Sequence, residues 1–163
     1  HYYATHSLTL ARHPSETDER MMVRLLAFAL YASDTLAFGK GLSAEDEPDL
    51  LERDPTGAIE RWIDVGLPDE REVRRACHRA RDMVLLTYGG RIAEMWWQQN
   101  GGKLAGLPNL TVIDLPPETS ATLAALAART MRLSCTIQDG HVWLADDAGN
   151  HELPLTVRRK AAG

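Results

Sequence analysis

Two aspartates in the middle of the chain have the residue type and the spacing of a divalent-metal site. Asp64 follows Ile63 in the apolar strand pattern GAIERWIDV, where an unpaired charge costs on the order of several kcal/mol. The preceding segment DLLERD and the turn residues Thr56-Gly57 predict an antiparallel hairpin with that strand. In this hairpin Asp49 lies opposite Asp64.

The register of the hairpin follows from its side-chain pairs. It pairs Arg53 with Glu60, Glu52 with Arg61, Leu51 with Trp62, and Leu50 with Ile63. Opposite charges and apolar residues that face one another stabilise an antiparallel ladder, whereas opposed carboxylates destabilise it. A cation between Asp49 and Asp64 would relieve their repulsion, and oxygen ligands predict Mg²⁺ or Mn²⁺. In the alternative, Asp49 lies in solvent outside the strand and Asp64 pairs with an arginine.

Glu19 is a third acidic candidate, on the first predicted helix. It heads a row of apolar residues at helical spacing that is expected to face the sheet. The row contains Met22, Val23, Leu26 and Leu30. We therefore expect Glu19 to point toward the sheet edge and the two aspartates. The alternative is a first-turn glutamate that the helix dipole stabilises.

Three arginines on the second predicted helix are candidates for contacting phosphate. Arg71 shares a helix face with Arg74 or Arg75 at spacings of three and four residues. Guanidinium groups bind phosphate well, although arginine is a poor proton donor or acceptor. The alternative is a solvated helix face with no ligand.

The periodicity of the sequence predicts an α+β fold with a mixed sheet and flanking helices. We expect a first strand in YYATHSLTLARH, and then a helix that begins with a capping box of Ser15 and Asp18. A second helix begins at Asp69 with Glu72 at capping-box spacing. Further segments alternate between strand and helix patterns, and the residues after Met131 predict a β-meander that includes NHELPLTV. The segments between Asp69 and Met131 are the strand MVLLTY, the helix RIAEMWWQQN, the strand NLTVIDL and the helix PPETSATLAALAART.

The composition is that of one globular domain. The chain has 163 residues, 44% hydrophobic and 25% charged, with a net charge of −5, so any nucleic-acid contact needs a local basic patch. No apolar run reaches transmembrane length and no targeting signal is visible. We therefore expect a cytoplasmic protein that does not associate with a membrane. Because the chain starts at His1, we also expect that a segment precedes it. Cys77 and Cys135 are expected to be buried free thiols.

The order of these elements resembles the PD-(D/E)XK nuclease core. That core combines a glutamate-bearing helix, three antiparallel strands, a second helix and a parallel strand. Pro48-Asp49 matches the literal PD, and Ile63-Asp64-Val65 matches the second acid. The stretches LTLARHPSETDERMMVRLLAFAL, GLPDE, MWWQQN and TIQDG resemble the YaeQ family of small bacterial proteins over essentially the whole chain. The implied single domain has a core at about residues 8–115, with a helix and meander at about 116–160.

The superfamily resemblance implies metal-dependent phosphodiester hydrolysis of DNA or RNA. Asp49 and Asp64 resemble the metal-binding acids, with the Val65 carbonyl as a further ligand, and Glu19 resembles the first-helix glutamate. Gly66 stands where the motif has its lysine. Arg71 or Arg75 is the expected replacement cation, and the set Arg71, Arg74 and Arg75 is expected to bind nucleic acid.

Two other functions remain open from the sequence. In the first, the fold has kept its acidic pocket but lost catalytic turnover, and the protein binds nucleic acid or a regulatory protein. Alternatively, the domain is an interaction module whose partner meets the C-terminal meander.

Overall fold

In the computed structural model of this chain, the structure describes residues 6–10, 12, 14–39 and 47–162. These residues form four helices and nine strands, and none of the described helices is long and apolar enough to span a membrane. In chain order the elements are α1 Asp18–Tyr31, β1 Leu36–Phe38, β2 Leu50–Arg53, β3 Ile59–Val65, α2 Glu70–Arg79, β4 Ala80–Thr87, α3 Arg91–Asn100, β5 Leu110–Asp114, α4 Pro117–Ala125, β6 Ser134–Gln138, β7 His141–Asp146, β8 Gly149–Glu152 and β9 Thr156–Arg159.

Six of the strands form a mixed sheet in the order β1-β2-β3-β4-β5-β9. The strands β1, β2 and β3 are antiparallel neighbours, β3, β4 and β5 run parallel, and β9 closes the far edge antiparallel to β5. The helices α2 and α3 are the crossovers that parallel pairs require. The strands β6, β7 and β8 form a separate antiparallel meander. The predicted mixed sheet with flanking helices is thus confirmed.

Each face of the mixed sheet carries its own apolar core, because alternate residues of a strand point to opposite faces. Ile63 and Val65 pack with α1, α4 and the meander in one core. Trp62 packs with α2 and with Met83 and Leu85 of β4 in the other. Asp64 has the same orientation as Trp62 and therefore lies on the face that α2 covers.

The predicted hairpin register is confirmed over three of its four pairs. Leu50 faces Ile63, Leu51 faces Trp62, and Glu52 faces Arg61. The prediction of Glu60 opposite Arg53 was wrong, because a β-bulge after Glu52 sets Arg53 opposite Ile59. Such a bulge places two residues of one strand against one of the other, and sequence pairing does not reveal it.

The two main helix starts differ in how well the sequence predicted them. α2 begins as expected, since the Asp69 side chain accepts a hydrogen bond from the Arg71 backbone N–H at 2.8 Å. The N-cap of α1 lies two residues later than the predicted N-cap, Ser15. Thr17 is its N-cap and accepts from the Arg20 backbone N–H, so Ser15 lies outside the helix.

Both ends of the chain also differ from expectation. Residues 6–10 and 12 of the predicted first strand are irregular, and positions 2–5, 11 and 13 of that segment lie outside the described residues. The meander is confirmed for β6, β7 and β8, but Thr156–Arg159 leaves it and pairs with β5 of the mixed sheet. This pairing joins the end of the chain to the sheet that carries the acidic residues.

The cap at Asp69 gives a prediction for stability. The variant Asp69→Ala leaves an N–H of the first turn of α2 without its acceptor, and should lower the free energy of unfolding by about 1 kcal/mol. Urea unfolding measures the change. Asp147→Ala, an exposed turn aspartate, is the matched control and should stay within about 0.5 kcal/mol of the parent. Equal stability of the two variants would contradict the assigned cap.

Candidate functional site

The candidate site lies at the edge of the sheet where the three parallel strands end. Asp64 is near the carboxyl end of β3, Thr87 ends β4 and Asp114 ends β5. Glycines with positive φ turn the chain after these strands: Gly66, with φ of 107°, directly follows β3, and Gly89 and Gly90, with φ of 123° and 63°, lie between β4 and α3. The helices α2, α3 and α4 each follow one of these strands, so their N-termini point to this edge. Carboxyl edges of parallel strands are the usual position of ligand sites in such sheets.

Asp49 and Asp64 are brought into direct contact at this edge, as the register predicted. The Asp49 backbone N–H donates to Asp64 Oδ1 at 3.2 Å, and the Val65 N–H donates to Asp49 Oδ2 at 2.9 Å. Asp49 precedes β2 and is only 3% exposed. The alternative of a solvated Asp49 is therefore wrong, because the carboxylate is enclosed between the hairpin and α1.

Asp64 is an acid that gives up its proton reluctantly. Burial and the neighbouring Asp49 carboxylate raise the pKa of Asp64 from 3.8 to about 7. Glu72 on α2 adds to the negative potential at the same carboxylate. A cation bound between the two aspartates would favour the ionised form of Asp64.

Arg20 of α1 supplies the positive charge that Asp49 needs. Its Nη2 lies 2.7 Å from Asp49 Oδ1, and its Nη1 lies 2.6 Å from Glu16 Oε2. Glu16 is also held by Arg24, whose Nη2 and Nε lie 2.6 and 3.0 Å from its two oxygens. Arg24 is fully buried. The alternative in which an arginine lies beside the acids is thus realised at Asp49 rather than at Asp64.

Glu19 faces the same region without entering the ion-pair network. Its carboxylate is half-buried and makes no hydrogen bond or ion pair within the part of the chain that the structure describes. The Glu19 carboxylate lies close enough to the Tyr88 hydroxyl to influence its pKa. Burial raises the pKa of Tyr88, Arg20 lowers it, and the Glu19 and Asp49 carboxylates raise it further. The assignment of Glu19 to the site remains a prediction.

Gly66 occupies the lysine position of the motif in a conformation that a lysine rarely adopts. Its φ is 107°, and its N–H donates to the Leu86 carbonyl at 2.9 Å. Residues with a Cβ are strained at such angles. The turn that ends β3 therefore requires a glycine at this position. Gly66 thus has a conformational role of its own, in addition to removing the charged side chain of the motif.

The arginines of α2 divide between two flanks of the helix. Arg74 is bound to Glu70 at 2.6 Å and to the Lys103 carbonyl, so it is turned toward α3. Arg71 and Arg75 are exposed. Arg74 is thus engaged by partners other than Asp49 and Asp64, and the predicted roles of the three arginines toward phosphate remain predictions.

Several residues at this edge were not predicted from the sequence. Arg20 and Arg24 stand four residues apart on one stripe of α1, and Glu16 stands four residues before Arg20, just ahead of the helix. Charged residues on a stripe that also faces a sheet are a signal of buried ion pairs. Asp114 was missed although Ile113-Asp114-Leu115 repeats the pattern of Ile63-Asp64-Val65.

Asp114 forms its own buried group at the end of β5, two strands away from Asp64. Thr87 Oγ1 donates to Asp114 Oδ1 at 2.7 Å, and Arg158 Nη2 lies 3.9 Å from the other oxygen. Arg158 also binds Glu94 of α3. Burial raises the pKa of Asp114. The strand β9 thus ties its arginine to the carboxyl edge, and Asp114 is already neutralised by partners of this chain.

The donor set around Asp49 and Asp64 fits a hard divalent cation that keeps most of its water. All the side-chain donors are carboxylate oxygens, which suit Mg²⁺ or Mn²⁺. Among the described residues no group of three or more His, Cys, Asp or Glu side chains is placed to hold a metal. Two carboxylates are nevertheless what Mg²⁺ commonly takes from a protein when substrate phosphates supply further oxygens.

Comparison with known proteins identifies the family. The family model described as YaeQ protein matches residues 1–155. The chain belongs to the YaeQ family. It is 52% identical over 151 residues to a protein of Escherichia coli (strain K12) named "Uncharacterized protein YaeQ", covering 93% of this chain and 83% of that one.

Two crystal structures of YaeQ proteins have the same fold. The YaeQ protein of Xanthomonas axonopodis pv. citri superposes with a TM-score of 0.93 at 52% identity, covering 99% of this chain and 90% of the other. The YaeQ protein of Pseudomonas syringae gives 0.92 at 36% identity, with 99% and 89% covered. The predicted membership of the YaeQ family is confirmed, and these names assign no activity to the site.

The raised pKa of Asp64 predicts a pH-dependent stability. Below about pH 4 both the folded and the unfolded states keep the Asp64 proton, and from there to about pH 7 only the unfolded state releases it. The free energy of unfolding of the parent should therefore fall, relative to Asp64→Asn, by an amount on the order of a few kcal/mol over this range. Urea unfolding in a chelator measures the difference, and parallel pH curves for the two proteins would contradict it.

The conformation of Gly66 gives a second prediction for this site. Gly66→Lys should lower the free energy of unfolding by about 1–2 kcal/mol, because the side chain forces a residue with a Cβ to keep a positive φ. Gly102→Lys is the matched control, since Gly102 has no positive φ and open space at its Cβ. Thermal or urea unfolding compares them. A Gly66→Lys protein as stable as the control would show that the turn accepts other residues.

Proposed function

We propose that this member of the YaeQ family is a metal-dependent nuclease-like protein that acts on or binds nucleic acid. Asp49 and Asp64 would hold one Mg²⁺ or Mn²⁺ ion at the carboxyl edge of β3. The observation that carries this proposal is the close approach of two acidic residues from separate segments, in which Asp64 Oδ1 accepts from the Asp49 N–H and Asp49 Oδ2 accepts from the Val65 N–H. The high pKa of Asp64 supports it, because perturbed acids in a cleft are typical of functional sites.

The arrangement of the elements supports the PD-(D/E)XK resemblance. The helix α1 precedes the antiparallel unit β1-β2-β3, and α2 then leads to β4, which is parallel to β3. Asp49 stands directly before β2, and Asp64 is the second-last residue of β3. This order and these positions agree with the core that the sequence motif implies.

The residues at the edge have distinct roles in this proposal. A bound divalent ion would supply an activated water and a counter-charge for the phosphate. Asp49 and Asp64 bind and orient the ion, and the backbone N–H groups of Asp49 and Val65 fix the two carboxylates. Arg20 offsets the charge of Asp49. Glu19 and Tyr88, which interact electrostatically, would orient water or substrate.

A second candidate function is binding without turnover. Gly66 offers no lysine to polarise a nucleophile, and Arg20 is already engaged by Asp49 and Glu16. In this version the chain keeps the acidic site and the exposed arginines of α2, and serves as a nucleic-acid- or protein-binding regulatory module. Its signature is nucleic-acid binding without cleavage.

Calorimetric titration with Mg²⁺ and Mn²⁺ tests the metal site. The parent should bind one ion, and Asp64→Asn should weaken the binding at least tenfold, because one of the two carboxylate ligands is replaced by a neutral amide. Asp147→Asn removes an exposed carboxylate elsewhere and should bind as the parent does. Absence of binding to the parent at millimolar metal would refute the metal site.

Cleavage of labelled DNA and RNA oligonucleotides separates the two candidate functions. Divalent-dependent cleavage that Asp64→Asn abolishes supports the nuclease. Metal and nucleic-acid binding without cleavage supports the binding module. Cleavage that survives in Asp64→Asn would exclude Asp64 from the chemistry.

A further inference from the structure

A groove of about 630 Å³ lies beside the acid pair on the face of the sheet that α2 covers. Its walls combine apolar side chains with two arginines and one glutamate, Glu47. Among its lining residues are Ala37, Pro48, Leu51, Trp62, Arg53 and Arg79, and we name the space that these six residues surround the base groove. Its volume falls within the range of small-ligand sites in proteins.

The base groove is continuous with the acid pair. Pro48 at one end of the groove directly precedes Asp49. Trp62 in the floor is two residues before Asp64 and points to the same face of β3. Leu51 faces Trp62 across the hairpin and extends the apolar floor. The Pro48 end of the groove therefore lies toward the acid pair.

The charges of the base groove favour an anionic ligand with a flat ring. The Arg79 guanidinium lies 5.2 Å from the centre of the Trp62 ring, and Arg79 is an exposed residue. Trp62 is only 3% exposed, so an incoming ring would meet the guanidinium plane rather than the indole. Arg53 is exposed at the groove and donates to the Gly57 carbonyl at 2.7 Å. Guanidinium planes stack on nucleobases and bind phosphates.

The exposed face of α2 continues this positive surface. Arg71, Arg75 and Arg79 are all exposed and stand four residues apart, and this spacing sets them in one row along the helix. The row runs from the end of α2 near the acid pair to the base groove. Electrostatic attraction of a strand with phosphates therefore does not require a positive net charge for the whole chain.

We propose that the base groove takes an unpaired base of single-stranded nucleic acid, with the adjoining phosphates along the arginine row. This inference rests on the proposed function, since it names the substrate class of the same site. A base inside a duplex is stacked on both faces and cannot enter such a groove without leaving the helix. The groove thus selects single strands or frayed ends over intact duplex.

Fluorescence anisotropy in a chelator tests this inference without any cleavage. The probes are a labelled single-stranded DNA oligonucleotide, the RNA of the same sequence and the blunt DNA duplex. One of the single strands should bind at least tenfold tighter than the duplex. Arg79→Gln and Ala37→Trp should each weaken that binding roughly tenfold, the first by removing the stacking cation and the second by filling the groove. Arg132→Gln, which removes an exposed arginine outside the groove, is the matched control.

The outcomes separate this inference from the proposed function. Duplex binding equal to or tighter than single-strand binding would overturn the base groove, as would equal losses in Arg79→Gln and Arg132→Gln. If Ala37→Trp fails to fold, Arg79→Gln against Arg132→Gln still decides the result. The anisotropy measurement contains no metal. Its result therefore does not depend on whether calorimetry detects metal binding at Asp49 and Asp64.

Discussion

The buried ion pairs between α1 and the sheet are the interaction on which the candidate site depends. Arg20 bridges Glu16 of the helix start and Asp49 of the hairpin, and Arg24 holds Glu16 from the next turn. Removing one partner of such a network leaves an uncompensated buried charge, which costs roughly 3–5 kcal/mol. The network therefore fixes α1 over the sheet and fixes the Asp49 carboxylate in front of Asp64 at the same time.

The repulsion between the two aspartates is only partly relieved by this network. Arg20 neutralises Asp49, whereas Asp64 accepts a hydrogen bond from a backbone N–H and meets further negative charge from Glu72. A protein that needed only stability at this position would do better with an apolar residue. Unrelieved charge at the carboxyl edge of parallel strands, beside exposed arginines, is instead suited to a bound cation and a phosphate.

The sequence predicted the parts of this site that depend on local pattern. The hairpin register followed from charge and apolar pairs within a few residues of the turn, and the α2 cap followed from Asp69. Arg20 was missed because its partner Asp49 is 29 residues away and meets it only when α1 packs on the sheet. The β-bulge at Arg53 and the pairing of β9 with β5 were missed because an extra residue and a long-range strand contact leave no periodic signal.

The most direct test of the acid pair is a carboxyl ¹³C NMR titration of Asp64 with and without Mg²⁺, assigned with the Asp64→Asn variant. Without metal, Asp64 should titrate near pH 7, well above the ordinary 3.8 of an aspartate. Saturating Mg²⁺ should shift its midpoint downward, because a cation between the carboxylates favours the ionised form. A midpoint near the ordinary value that Mg²⁺ does not change would contradict both the electrostatic strain at this edge and its role in binding metal.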